Sequence, residues 1–278
     1  CLGIYLRSLG KSQTNFTFDD TLTQIGLGYF WLFLLSRTRW KVRLTALIVI
    51  VVGYWAWFAL SQLPAADFNW AGVGVSDEWR EKYALSGFSA HWNKNSNPAW
   101  AFDVWWMNLF PRELRGGQPA PFTHSGGGYC TLSFIPTLGT MLIGLLAGGW
   151  LKSSSTKGKK LLGLLAASGV CFGIALAAHQ YDICPIVKRI WTPAWVFYSG
   201  GWCLAILSAF YLVVEIGGWS AWAFPLIVIG SNSIVAYCSE WWLLGAIRSA
   251  LFRHVGPKPF LIAGEPYQPL LLGGTILL

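Results

Sequence analysis

The sequence predicts an all-α membrane protein: a polytopic transmembrane helix bundle of about six full spans, truncated spans at both ends and one Trp-rich extracytoplasmic loop. Three observations predict it. Of 278 residues, 54% are hydrophobic and only 12% are charged. The apolar residues gather into runs close to the ~20 residues that cross a bilayer. The Lys and Arg residues, behind a formal net charge of +8, sit in short clusters between those runs. That is a topology pattern, so nucleic acid is not an expected partner.

Taken in order, residues 1–9 read as the tail of an earlier helix and residues 10–20 as a polar linker. The chain opens at Cys1 without a Met and closes in mid-run at Ile276-Leu277-Leu278, so both ends read as truncations of a single membrane domain. The first full span is placed near 21–36, somewhat short for a bilayer. A basic loop with Arg37, Arg39, Lys41 and Arg43 follows, then a span near 44–63 that ends at Pro64.

Residues 64–130 are too charged to span and too rich in Trp to be disordered, and they are expected to pack on the membrane surface. Within them Asn97-Pro98 is a helix-start signal, Asn as N-cap and Pro at the first helical position. The helix it starts is apolar on most sides and carries one acid, Asp103. Residues 116–128 read as an irregular Gly/Pro-rich loop containing His124.

Further spans are placed near 131–151, 161–178, 194–216 and 220–244, with a partial run at 269–278. Lys152, Lys157, Lys159 and Lys160 form a second basic loop. The two basic loops lie two spans apart, so the positive-inside rule puts both in the cytoplasm and loop 64–130 outside. The expected location is a bacterial inner (plasma) membrane.

Within the sixth run, residues 230–240 are a polar insertion. Continued as one helix at about 100° per residue, Asn232, Ser233, Tyr237, Ser239 and Glu240 share roughly 160° of arc, and Val228 and Val235 fall outside it. A polar face in hydrocarbon lines a cavity or bonds to other helices. The residue types alone leave both open.

No phosphate-loop spacing, G-x-S-x-G or H-E-x-x-H is present, so serine-hydrolase and zinc-peptidase readings lose their support. The six cysteines show no metal pattern, and no metal is expected; a Cys130–Cys184 disulfide is one option if both lie outside the lipid. His91, His124, His179 and His254 make no site by spacing. What remains is a set of polar residues in or beside apolar runs, with Gln24, Asp103, Trp191, Asn232, Ser233, Tyr237 and Glu240 as the substrate or cavity candidates. They suit a bundle cavity that takes a polar or amphipathic ligand.

Five landmarks in order resemble the heparan-α-glucosaminide N-acetyltransferase-like membrane acyltransferases, chiefly their bacterial-type members. They are Phe18-Asp19-Asp20-Thr21-Leu22-Thr23-Gln24, the Asn97 to Asp103 run, the Tyr129 to Gly148 run, Pro185-Ile186-Val187-Lys188-Arg189-Ile190-Trp191-Thr192, and Gly230-Ser231-Asn232-Ser233-Ile234. The resemblance implies transfer of an acetyl or other acyl group from a cytosolic acyl-CoA, such as acetyl-CoA, to an extracytoplasmic amino sugar or glycan. The expected partners are then the lipid bilayer, the acyl-CoA and the glycan acceptor, with homo-oligomerisation open. The family's proposed catalytic His lies on a segment before Cys1, so the catalytic residue is unknown here. The sequence departs from the animal members at Gln24-Ile25, where they place an Arg after the Gln. The rival readings are a transporter or permease for a polar or sugar-containing solute, and a structural membrane subunit.

Overall fold

The computed structural model describes residues 2–112, 118–239 and 243–256, with the backbone of 114–115, 261–262 and 265–266. It forms two compact units, residues 1–218 and 219–278.

In the first unit, α1 (Leu2–Ser8) leads to α2 (Thr21–Ser36), which Asp20 caps by accepting the Thr23 backbone N–H at 3.0 Å. At 16 residues α2 is about 24 Å long, short of the ~30 Å hydrocarbon thickness although it is apolar. Its last turn is closed by Arg43, whose guanidinium donates to the Leu35 carbonyl at 3.2 Å and the Ser36 carbonyl at 2.6 Å. One cation of the first basic loop therefore also satisfies helix carbonyls that would otherwise lack partners.

α3 (Trp40–Ala59) then crosses the unit. Residues 60–133 return along its far end through α4 (Asp77–Tyr83), a 3₁₀ turn (Gly87–Trp92), α5 (Pro98–Met107) and a short antiparallel pair, β1 (Leu114–Arg115) and β2 (Gln118–Pro119). The Asn97-Pro98 start signal is realised in the fold, with the Asn97 side chain accepting the Trp100 N–H at 3.0 Å. A turn at Thr131–Ser133 opens α6 (Phe134–Leu151), followed by α7 (Lys157–Gln180) and α8 (Pro193–Phe210), the last extended by a π-helical turn to Ile216.

Four described helices are long and apolar enough to cross a membrane: Trp40–Ala59, Thr131–Leu151, Lys157–Gln180 and Pro193–Ile216. Their outward faces are apolar too, as Leu162, Leu165, Val170, Ile174 and Leu176 on α7 illustrate. Such a face is stable against lipid and unstable against water, so the chain is an integral membrane protein.

α6 is central, packed against α2, α3 and α8, while α7 pairs with α8. The main core joins Leu47 and Val51 of α3, Leu142 and Ile143 of α6, Leu164 of α7, and Val196 and Leu204 of α8. Close approach depends on small residues: a Cβ on Gly201 would lie 3.1 Å from the Phe172 ring, and the Gly201 carbonyl accepts Ser168 Oγ at 2.8 Å. A second cluster, with Tyr54, Phe58, Trp92, Ala99, Cys130, Cys184, Ile190 and Ala194, ties residues 60–133 and 181–192 to one end of the bundle. Cys130 and Cys184 share it as buried free thiols, so the optional disulfide is not formed.

The second unit contains α9 (Phe224–Ser231), α10 (Ser233–Ser239), α11 (Leu243–His254) and a strand pair, β3 (Leu261–Ile262) and β4 (Glu265–Pro266). The run read as one span at 220–244 is broken instead: Ala221–Ser231 and Ser233–Ser239 meet at 74°. Asn232 leaves the helical region at φ −121°, ψ 34°, its N–H bonding to Ile229 and its carbonyl accepting from Ala236. Gly230, Ser231 and Asn232 are all weak helix formers, and the Ser231 hydroxyl bonds back to the Val228 carbonyl at 2.9 Å. The single 100° count therefore does not hold across Asn232. The run at 269–278 lies outside the described residues.

Candidate functional site

α5 supplies the first site residue. Ala99, Asp103 and Met107, spaced at i, i+4 and i+8, are its buried stripe. An acid in the middle of an apolar stripe must find donors or pay for desolvation. Asp103 Oδ2 accepts the Thr131 backbone N–H at 2.9 Å, and its buried Oδ1 has no partner among the described residues. Burial raises the Asp103 carboxyl from the ordinary carboxylate value to about 6; the Thr131 bonds oppose the rise and the nearby Asp19 charge adds to it.

Asp19 supplies the second carboxylate. Of the Asp19-Asp20 doublet, Asp20 is committed to capping α2, with Thr23 Oγ1 donating to it at 2.5 Å. Asp19 turns to the cleft, where it accepts from Thr17 Oγ1 at 2.5 Å and Ser125 Oγ at 3.4 Å. Gln24 is buried beneath it and donates through Nε2 to the Asp19 carbonyl at 3.3 Å. Gln24 thus positions the segment that carries Asp19.

Asp19 and Asp103 line one cleft of about 190 Å³ together with Thr17, Ser125, Tyr129 and Thr131. Asn15, Arg112 and Phe122 form its mouth and are also walls of an adjoining polar cleft of about 380 Å³ that holds Lys11 and His124. Arg112 donates to the Phe16 carbonyl at 3.2 Å, and its guanidinium lies 5.4 Å from the Phe122 ring centre. His124 shares a hydrogen bond with Thr123 Oγ1 at 3.0 Å and is seated against Gly74, whose φ of +69° and missing Cβ leave room for the ring. Burial, then the Lys94 charge, lowers the His124 pKa. The combined cleft has an acidic floor and a basic rim.

Chemically, a buried carboxyl that titrates near neutrality can take a proton from an amine or hydroxyl at its unpartnered oxygen. Among the described residues, no three His, Cys, Asp or Glu side chains converge as a metal site.

Of the residues singled out from sequence, Gln24 and Asp103 come together through Asp19. Trp191 does not line the cleft. Its indole N–H donates to Thr140 Oγ1 at 3.0 Å and its ring packs on the main core. The motif containing it folds into a loop closed by Thr192, whose hydroxyl donates to the Pro185 carbonyl at 2.7 Å and accepts the Val187 N–H at 3.0 Å. Asn232 and Ser233 are exposed and Tyr237 half-buried in the second unit. Glu240 lies outside the described residues. Asp19, Ser125 and Arg112 were not singled out as site residues. The legible signal for Asp19 was the doublet itself, since one N-cap position takes only one of two adjacent acids. The chain matches no family model, no curated protein and no solved structure.

Proposed function

We propose that the protein is a membrane acyltransferase whose acceptor binds in the Asp19/Asp103 cleft, with Asp103 as general base. The observation that carries this reading is the buried, unpartnered Asp103 Oδ1 of a carboxyl pushed up to about 6, in a cleft large enough for part of a sugar. The acceptor amine or hydroxyl gives its proton to Asp103 as its lone pair attacks the acyl carbonyl. The new C–N or C–O bond forms and the thioester C–S bond breaks, releasing the CoA thiolate.

The cleft lies at the end of the bundle opposite the basic turns, where Arg37 and Arg39 sit between α2 and α3, Lys41 in the first turn of α3, and Lys157 and Lys160 in the first turn of α7. The anionic head of an acyl-CoA is attracted to that basic end, which the positive-inside rule makes cytoplasmic, and its extended pantetheine arm carries the thioester through the bundle toward the cleft. The acceptor side is then extracytoplasmic, and the acceptor is an amino sugar or glycan. In this reading α2 and the bent α9–α10 pair are membrane spans as well, the latter carrying Asn232, Ser233 and Tyr237 as its polar groups.

The test is acyl transfer from labelled acetyl-CoA to glucosamine-type acceptors by purified full-length protein. Turnover that Asp103→Asn abolishes supports the proposal. Absence of turnover with a panel of acyl-CoAs and sugars, from folded protein, sinks it. The 74° break at Asn232 favours one rival, since transporters place substrate at broken spans. Solute uptake into proteoliposomes without acyl-CoA would favour that reading.

A further inference from the structure

A second concavity, of about 660 Å³, lies between α4, the segment after the Gly87–Trp92 turn and the connection from α7 to α8. Lys94, Lys188 and Arg189 line it, and among the described residues no carboxylate does. Its other walls are aromatic, from Trp79, Tyr83 and Trp92, and apolar, from Leu85, Ile186, Val187 and Ile190.

Cations gathered without acids repel one another. Burial, then the Arg189 guanidinium, holds the Lys94 ammonium below the usual lysine range. Two of the three cations have local support. Lys94 lies 5.6 Å from the Trp79 ring centre, and Arg189 lies 5.7 Å from that of Tyr129 while donating to the Gly127 carbonyl. None of these contacts neutralises the charge. Three cations with no carboxylate partner among the described residues are the complement of an anion with several acceptor oxygens.

Position narrows the class of anion. Lys188 and Arg189 are exposed side chains on residues 181–192, the short link between two helices that each have the length and apolarity of a span. That link sits at the depth where lipid headgroups lie, and the apolar walls suit the glycerol and upper acyl region beside a phosphate. We infer that this groove binds the phosphate of an anionic phospholipid headgroup, with Lys94, Lys188 and Arg189 around the phosphate.

The test uses the full-length protein in a neutral detergent, titrated with phosphatidylglycerol, with phosphatidylcholine of the same chain length, and with inorganic phosphate. Bound lipid is counted by native mass spectrometry and affinity is read from the shift in thermal unfolding. Phosphatidylglycerol is expected to bind most tightly. Lys94→Gln and Lys188→Gln should each weaken it roughly fivefold. Equal binding of both lipids, or wild-type affinity in both Lys variants, overturns the inference. Inorganic phosphate binding as tightly as phosphatidylglycerol overturns the lipid assignment and makes the ligand a soluble phosphate. Loss of binding with unchanged acyl transfer, or the reverse, separates this groove from the acceptor cleft.

Discussion

Asp103 and Thr131 are joined by a hydrogen bond from the Thr131 backbone N–H to Asp103 Oδ2 at 2.9 Å, and that bond ties the middle of α5 to the turn that opens α6. It leaves Oδ1 buried without a described partner. The site therefore stores an electrostatic cost that a purely structural aspartate would avoid.

The cost gives a pH dependence of unusual sign for an acid. The folded carboxyl binds its proton up to about pH 6, whereas an unfolded Asp releases it near 3.9. The native state holds the extra proton between those values, so this contribution to stability is full below about pH 4 and is lost as pH rises to about 6. Asp103→Asn keeps an acceptor for Thr131 and cannot charge. It should be more stable than wild type at pH 8, by on the order of 2 kcal/mol, and lose that advantage at pH 4. Thermal unfolding at the two pH values measures it; equal stability at both would mean the carboxyl is not desolvated.

Asp19→Asn removes the like charge that helps raise the Asp103 carboxyl. The acid limb of the pH–rate profile should move to lower pH, because Asp103 then ionises earlier. An unmoved limb would show that the two carboxylates are not coupled. Gln24→Leu breaks the bond to the Asp19 carbonyl and should cost about 1 kcal/mol of stability.

Thr192→Val should be among the more costly substitutions in the loop between α7 and α8. The side chain is fully buried and its hydroxyl holds Pro185 and Val187 while capping α8 at Trp195. Losing those bonds leaves buried backbone groups unsatisfied, a penalty of roughly 2–4 kcal/mol. Chemical denaturation in detergent is the measurement, and a cost under about 0.5 kcal/mol would contradict the account.

Cys130 and Cys184 should resist thiol reagents at neutral pH in the folded protein. Burial raises both thiols, Cys184 to about 12, and only the thiolate is nucleophilic. Maleimide labelling followed by peptide mapping should find both unmodified until the protein unfolds, and non-reducing maps should show no Cys130–Cys184 peptide.

Composition and run length determined that the chain is an α-helical membrane protein, because hydrocarbon demands long helices with internally satisfied backbones and apolar surfaces. The Asn97-Pro98 start and the lone acid of α5 were equally legible, being local in origin. The rest depended on tertiary structure. Gln24 and Asp103 are far apart in sequence, and the segment that brings them together through Asp19 is irregular, so no periodicity reports it. Trp191 looked like a cavity residue but serves the core, since its partner Thr140 lies on another helix. The sixth run read as one helix because its two halves together are apolar enough, and hydropathy is blind to the backbone angles at Asn232 that break it. Sequence set which residues could not face water; only packing decided which polar groups were left facing one another.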